Sequence, residues 1–283
     1  MIGYGNSCFL TQKFGGVTPP APQLLLDTYP NAAVAYSLRK LRTDYSGNAI
    51  RVRRSSDNTE QNIGFVGNDL DTASLLTFCG AGNGFITTWY DQSTNANNST
   101  QATAANQAQV VLNGNLILDV DTNKITSTWT TDRYTLTTGI SANTKYLSIS
   151  MFRRISAGDR LVHLGSASTN SPNTLIWFNS ASSYLIRNYM PTSFDFDNIS
   201  TLGRCIMTSL KDSSNLKVAY RNGVQLTNTA TEAPAAGTLN VFGQIAATSQ
   251  TSGQYQEYIY WNSEQSANRV GIETNVNTYW NAY

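Results

Sequence analysis

The sequence predicts an all-β fold: a jelly-roll β-sandwich with two or three short helices and an extended N-terminal arm. Three observations carry this. From Gln109 onward the chain divides into short segments rich in alternating apolar and polar residues. Turn signals fall about every 8–12 residues through much of that run, the spacing of a sandwich or jelly roll. Helical spacing is confined to three places, around residues 31–41, 68–80 and 264–280. The 283 residues suffice for one principal domain, because all-β sandwiches reach roughly 200–250 residues as a unit.

The elements follow in order. Residues 1–26 read as an arm, with Gly3, Gly5, Gly15 and Gly16 ahead of Val17-Thr18-Pro19-Pro20-Ala21-Pro22, a linker composition. Its apolar residues Ile2, Tyr4, Phe9, Leu10 and Phe14 suit an anchor, the alternative being a disordered terminus, and residues 27–283 form the domain. Leu24–Asp27 is a short strand or lead-in. Val34, Leu38 and Leu41 recur at helical spacing, predicting an amphipathic helix over 31–41. Ile50–Arg54 alternates as a strand, with Ile50 and Val52 inward and Arg51 and Arg53 outward. Residues 68–80 predict a second helix, with Asp69 or Asp71 as N-cap and Gly80 at the left-handed C-terminal position.

Gly82 and Gly84 lead into a strand, Phe85–Trp89, and Asn95–Ala108 is polar loop. The strands expected next are Gln109–Leu112, Asn115–Asp119, Tyr146–Ile155, Arg160–Gly165, Thr174–Asn179, Ser183–Tyr189, Arg204–Leu210, Asn215–Arg221, Thr238–Phe242 and Gln254–Trp261. Asn222-Gly223 supplies both positive-φ positions of a tight hairpin turn. A last helix, Glu264–Trp280, takes Ser263 as N-cap and Ala267, Val270, Gly271, Val276 and Tyr279 as its buried face.

Composition excludes several function classes. Charged residues are 13% and the formal net charge is +1, so there is no electrostatic footprint for nucleic acid. Three cysteines at wide spacing, Cys8, Cys79 and Cys205, make neither a disulfide framework nor a zinc site. The single histidine, His163, falls in a strand pattern and is expected to pack there rather than serve as a base. No metal and no cofactor is expected. The first residues lack the basic start and apolar run of a signal peptide, and no stretch approaches the ~20 apolar residues of a membrane span. The sequons Asn97-Asn98-Ser99 and Asn198-Ile199-Ser200 are therefore read as chance.

One block, Ala35–Ser93, has the density of a motif. Its words Tyr36-Ser37-Leu38, Tyr45-Ser46-Gly47, Val52-Arg53-Arg54-Ser55-Ser56-Asp57, Asn62-Ile63-Gly64, Phe78-Cys79 and Ile86-Thr87 through Tyr90-Asp91-Gln92-Ser93 resemble the catalytic domain of α-L-arabinofuranosidases of the B type. Lys217–Val224 and Tyr258–Asn262 resemble a laminin-G-like, concanavalin A-like jelly roll. The arm, the Leu-Leu-Leu-Asp lead-in and this domain together resemble proteins of tailed bacteriophages. The resemblances imply a two-sheet sandwich with a groove on its concave face.

The first resemblance also implies two catalytic carboxylates. The family's nucleophile follows a Tyr-Gly-Asn-Ala motif. The comparable stretch here, His163–Asn170, has Ser168 at the glutamate's place. The family's acid/base aspartate follows a Gly-rich strand end. The comparable stretch, Phe242–Thr248, has no carboxylate, and Ala247 stands there. Cys79 matches a family cysteine whose near partner is replaced around Gly84. Replacement carboxylates would come from Asp91, Asp195, Asp197 or Glu257. Asp91 reads more simply as a strand-end aspartate bonding turn amides or an arginine, Glu257 as a packing or solvated position, and Asp195 and Asp197 as loop residues.

These readings lead to an expectation of no catalytic residues and no enzymatic activity. The expected function is a structural or host-interaction component of a bacteriophage particle: capsid decoration, head fibre or tail protein. The arm would bind other virion proteins, and the domain would form a homo-oligomer, a trimer if fibre symmetry holds. Its location would be the virion. Trp177, Tyr184, Arg187, Asn188 and Asp91 are the candidates for a degenerate glycan-binding face, since aromatic rings stack on sugars. The alternative is a glycoside hydrolase of arabinofuranosidase type with relocated carboxylates.

Overall fold

The structure is a computed structural model and describes residues 23–130, 132–142, 145–155, 164–165, 173–174, 185–189, 193–198, 203–231, 237–243 and 253–283. Residues 1–22 of the expected arm, Cys8, His163, Ser168, Trp177, Tyr184 and Ala247 lie outside the described residues.

The fold is all-β, as expected, with antiparallel strands in two layers. The first layer is built on Gly253–Trp261. Along one edge that strand pairs with Tyr146–Arg154, and along the other with Val34–Ser37 and Ser127–Trp129. Gly203–Lys211 and Leu216–Arg221 extend the layer beyond Tyr146–Arg154. The second layer runs from Glu60–Ile63 through Ile50–Arg54, Gly84–Trp89, Ser99–Thr100 and Arg133–Ser141 to Thr238–Gly243. It continues through Leu164–Gly165, Asn173–Thr174 and Leu185–Tyr189 to Ser193–Asn198. Gln109–Leu112 links the layers by pairing with both Gly84–Trp89 and Ser127–Trp129.

An aromatic cluster fills the space between the layers. Phe242 of the second layer has its ring centroid 5.3 Å from Tyr36 and from Tyr258, and 5.2 Å from Trp129. Trp129 in turn lies 4.7 Å from Tyr255. All five are buried. Burying a large apolar side chain is worth about 1.5–3 kcal/mol, so this cluster is a principal source of cohesion.

Several expected elements need correction. Residues 31–41 form no helix: Val34–Ser37 is a strand with every residue buried. Helical spacing at Val34, Leu38 and Leu41 misleads because the segment is buried all round, and a short buried run has no period to read. Leu24–Asp27 is not a strand either. A short helix, α1 (Leu25–Thr28), buries Leu25 and Leu26. The second helix holds as α2 (Thr72–Cys79): Ser74 N–H donates to the Asp71 carboxylate at 2.9 Å. Gly80 follows at φ +56°.

The last helix, α3 (Arg269–Trp280), is shorter than expected and follows a 3-10 turn at Ser266–Asn268. Its buried residues are Ile272, Glu273, Val276 and Trp280, and Val270 points to solvent. The Trp280 indole donates to Glu257 beneath it at 2.9 Å, and that bond helps set the buried face. The Arg133–Ser141 strand is disguised by its threonines, by Gly139 and by a register break between Thr135 and Ile140. Asp195 and Asp197, expected in a loop, lie in the Ser193–Asn198 strand. The Asn222-Gly223 turn holds, at φ +53° and +78°.

Candidate active site

The end of the Thr238–Gly243 strand is held unusually close to the chain before Arg133. Gly243 sits opposite Arg133 in the antiparallel register, at φ +97°. A Cβ there would fall 2.6 Å from the Asp132 carbonyl oxygen and 2.7 Å from the Trp129 ring, so only glycine permits the approach. The approach brings Asp132 beside the strand end.

Asp132 is 2% exposed, and its Oδ2 accepts the Thr130 N–H at 2.6 Å. It lines a cavity of about 390 Å³ with Phe85, Gln107, Gln109, Thr128 and Thr130. Gln107 is held by Arg53, whose Nε donates to its Oε1 at 2.8 Å. The same guanidinium lies 4.9 Å from the Phe85 ring centroid. Burial, and then the neighbouring Asp132 charge, hold the Tyr134 phenol well above its ordinary range. Tyr134 therefore stays neutral, donating to the Ile86 carbonyl at 2.8 Å and accepting Ala108 N–H at 2.9 Å.

The cavity thus combines a carboxylate, two side-chain amides, hydroxyls and one aromatic face. Its size lies within the roughly 300–1,000 Å³ of small-molecule sites. The chemistry suits a hydroxylated ring, with the Asp132 carboxylate on the cavity wall. Sequence reasoning missed Asp132. Thr130-Thr131-Asp132-Arg133 has no motif, and the single signal is its place between two core aromatics, Trp129 and Tyr134.

The expected replacement carboxylates are elsewhere and otherwise engaged. Asp91 is 2% exposed. Its Oδ1 accepts Ala35 N–H at 2.8 Å and Ser93 N–H at 2.9 Å. Its Oδ2 accepts the Ser93 hydroxyl at 2.6 Å and Asn97 N–H at 2.9 Å. Burial pushes its carboxyl up, and these donors pull it partly back. Four bonds to its own chain give it the turn-binding role.

Glu257 is neither solvated nor a simple packing residue. It forms a buried pair with Arg39, whose Nε and Nη2 donate to its two oxygens at 2.6 and 2.9 Å. Ser37 Oγ and the Trp280 indole complete its bonds at 2.8 and 2.9 Å.

Of the expected glycan face, Arg187 and Asn188 lie in the Leu185–Tyr189 strand, opposite Asp195 and Phe194. Trp89, Trp129, Trp261 and Trp280 are buried as core packing. Among the described residues, no cluster of three His, Cys, Asp or Glu side chains is placed to hold a metal ion.

Residues 27–151 match the family model described as "Alpha-L-arabinofuranosidase B, catalytic". The matched segment contains Asp132. Among solved structures, the chain is similar to a GH54 α-L-arabinofuranosidase soaked with a cyclic sulfate inhibitor. The TM-score is 0.66 at 16% identity, over 87% of this chain and 62% of that one. An arabinofuranosidase complexed with arabinofuranosyl-α-1,2-xylobiose gives a TM-score of 0.65 at 16% identity with the same coverage. The chain therefore spans less than two thirds of these structures' length, and the likeness establishes the shared sandwich fold. Compared against curated proteins, the sequence finds no match.

The family match corrects the functional expectation. A non-enzymatic structural component of a phage particle is not what residues 27–151 point to; they point to a glycoside hydrolase, the alternative set out above. Ser168 and Ala247, where the resemblance places the family's carboxylates, lie outside both the matched segment and the described residues.

Proposed function

We propose that the protein is a glycoside hydrolase of arabinofuranosidase type that releases α-L-arabinofuranosyl units from polysaccharide side chains. The observation that carries the reading is the family match over residues 27–151, which includes a buried, cavity-lining carboxylate. The resemblance sets the family's acid/base aspartate after a Gly-rich strand end. Here Asp132 stands beside the equivalent end, at Gly243, brought there from the neighbouring strand rather than from the chain downstream. Asp132 is accordingly assigned the general-acid role: it protonates the leaving oxygen while a water attacks the anomeric carbon and loses its proton to solvent.

The test is release of 4-nitrophenol from 4-nitrophenyl α-L-arabinofuranoside. Asp132→Asn should lower kcat by about 10²-fold or more, the usual scale of general acid–base catalysis, with near-UV circular dichroism unchanged. Wild-type protein that releases no product would defeat the assignment of activity. An Asp132→Asn variant as active as wild type would defeat the assignment of the residue.

A further inference from the structure

The wall of the Asp132 cavity is shaped by an irregularity in the sheet. Gly84 pairs with Val111 and Phe85 with Gln109, so Val110 is an extra residue on its strand. A bulge of this kind re-aims the side chains around it. Val110 and Val111 are both buried, and Gln109 is left half-buried on the cavity wall. On its other side Gln109 stands opposite Thr128. Directly opposed residues of antiparallel strands share a face, so these two side chains are neighbours on that wall, which Thr128 also lines.

Part of the wall is already engaged. Gln107 is used at both ends: its Oε1 accepts from Arg53 Nε, and its Nε2 donates to the Gln101 carbonyl at 2.9 Å. The Arg53 guanidinium covers one face of the Phe85 ring. Gln109 and Thr128 differ. Gln109 Nε2 donates to the Val111 carbonyl at 3.0 Å, which fixes the amide and leaves Oε1 as an acceptor of set orientation. Among the described residues, nothing bonds that oxygen or the Thr128 hydroxyl. A fixed acceptor covered by a ligand must meet a donor or lose affinity, and a group that only accepts disfavours an anion.

We propose that Gln109 and Thr128 are the specificity-determining residues of this cavity. Gln109 Oε1 accepts from one hydroxyl of a neutral sugar, and the Thr128 hydroxyl bonds a second. The choice of an α-L-arabinofuranoside as that sugar rests on the proposed function.

The test is titration calorimetry of the full chain with methyl α-L-arabinofuranoside and its 2-, 3- and 5-deoxy analogues. Asp132→Asn is the parent, so that turnover does not disturb the equilibrium. Thr128→Val keeps the shape of the side chain and removes its hydroxyl; Gln109→Leu removes the amide. Each should raise the Kd of the full glycoside about 10-fold, the scale of one lost hydrogen bond. Thr128→Ser keeps the hydroxyl and should bind within about twofold of the parent. For each weakened variant, one deoxy analogue should bind as it does to the parent, because the missing hydroxyl is the one that side chain had bonded. A merely structural role would weaken all four ligands alike. Such a uniform loss overturns the assignment, as do unchanged Kd values in both Thr128→Val and Gln109→Leu, or a parent that binds none of the four. The expected pattern, in a protein whose wild type releases no 4-nitrophenol, would remove the catalytic reading and leave this one standing.

Discussion

Gln92 offers the sharpest test of how the Tyr90–Ser93 turn supports the fold. It is fully buried. Its Oε1 accepts Leu41 N–H at 2.9 Å, and its Nε2 donates to the carbonyls of Ser37 at 3.0 Å and Arg39 at 2.9 Å. Gln92→Leu keeps the volume and deletes all three bonds. An unpaired buried backbone group costs about 1–3 kcal/mol. Three such groups, partly relieved by local movement, give roughly 3–5 kcal/mol. Against a total stability of about 5–15 kcal/mol, the loss is large. Urea unfolding followed by tryptophan fluorescence measures it. Tyr90→Phe, which loses a single exposed bond to Asn62, is the control and should cost under about 1 kcal/mol. A Gln92→Leu loss no larger than that of Tyr90→Phe would refute the view that this side chain holds the segment in place.

Other consequences are open to measurement. Glu257→Gln leaves the buried Arg39 cation without its counter-charge; a loss of about 3–5 kcal/mol is expected by denaturant titration, and an unchanged midpoint would contradict it. Burial pushes the Cys205 thiol up to about 12 and the Cys79 thiol up as well. Both should resist iodoacetamide at neutral pH in native protein and react in guanidinium, as read by peptide mass mapping. Asp71 is held below the usual carboxylate range by bonds from Ser74. A depressed pKa contributes stability present above the ordinary carboxylate pKa and lost as pH falls through the folded value. The difference in melting temperature between wild type and Asp71→Ala should therefore shrink on acidification, and a difference constant from pH 7 to pH 2 would refute it.

The sandwich was legible because alternation survives wherever one strand face is buried and the other is not. Ile50–Arg54 and the Asn222-Gly223 turn are of this kind. Strands buried on both faces, such as Val34–Ser37, carry no alternation, so three well-spaced apolar residues imitate a helix. α2 was readable because its cap, Asp71, and its terminator, Gly80, are local in sequence. The candidate site was not readable. Asp132 acquires its place only when Gly243, more than a hundred residues later, closes on it. The pairing of Arg39 with Glu257 is equally remote, and either residue alone looks like an ordinary surface charge.

The Asp91 and Gln92 bonds have one more consequence. Among the described residues, Val34–Ser37 has a partner strand on one side only. Its other side is bonded by a loop: Ala35 N–H to the Asp91 carboxylate, Ala35 carbonyl to Gln92 N–H, and Ser37 carbonyl to the Gln92 amide. A bare strand edge is a template on which another chain can add. Here the template is already occupied by side-chain and backbone groups of the same molecule, and no foreign strand can pair along it without first displacing them. The turn that marks the sequence motif thus also guards the sheet against growth beyond its own boundary.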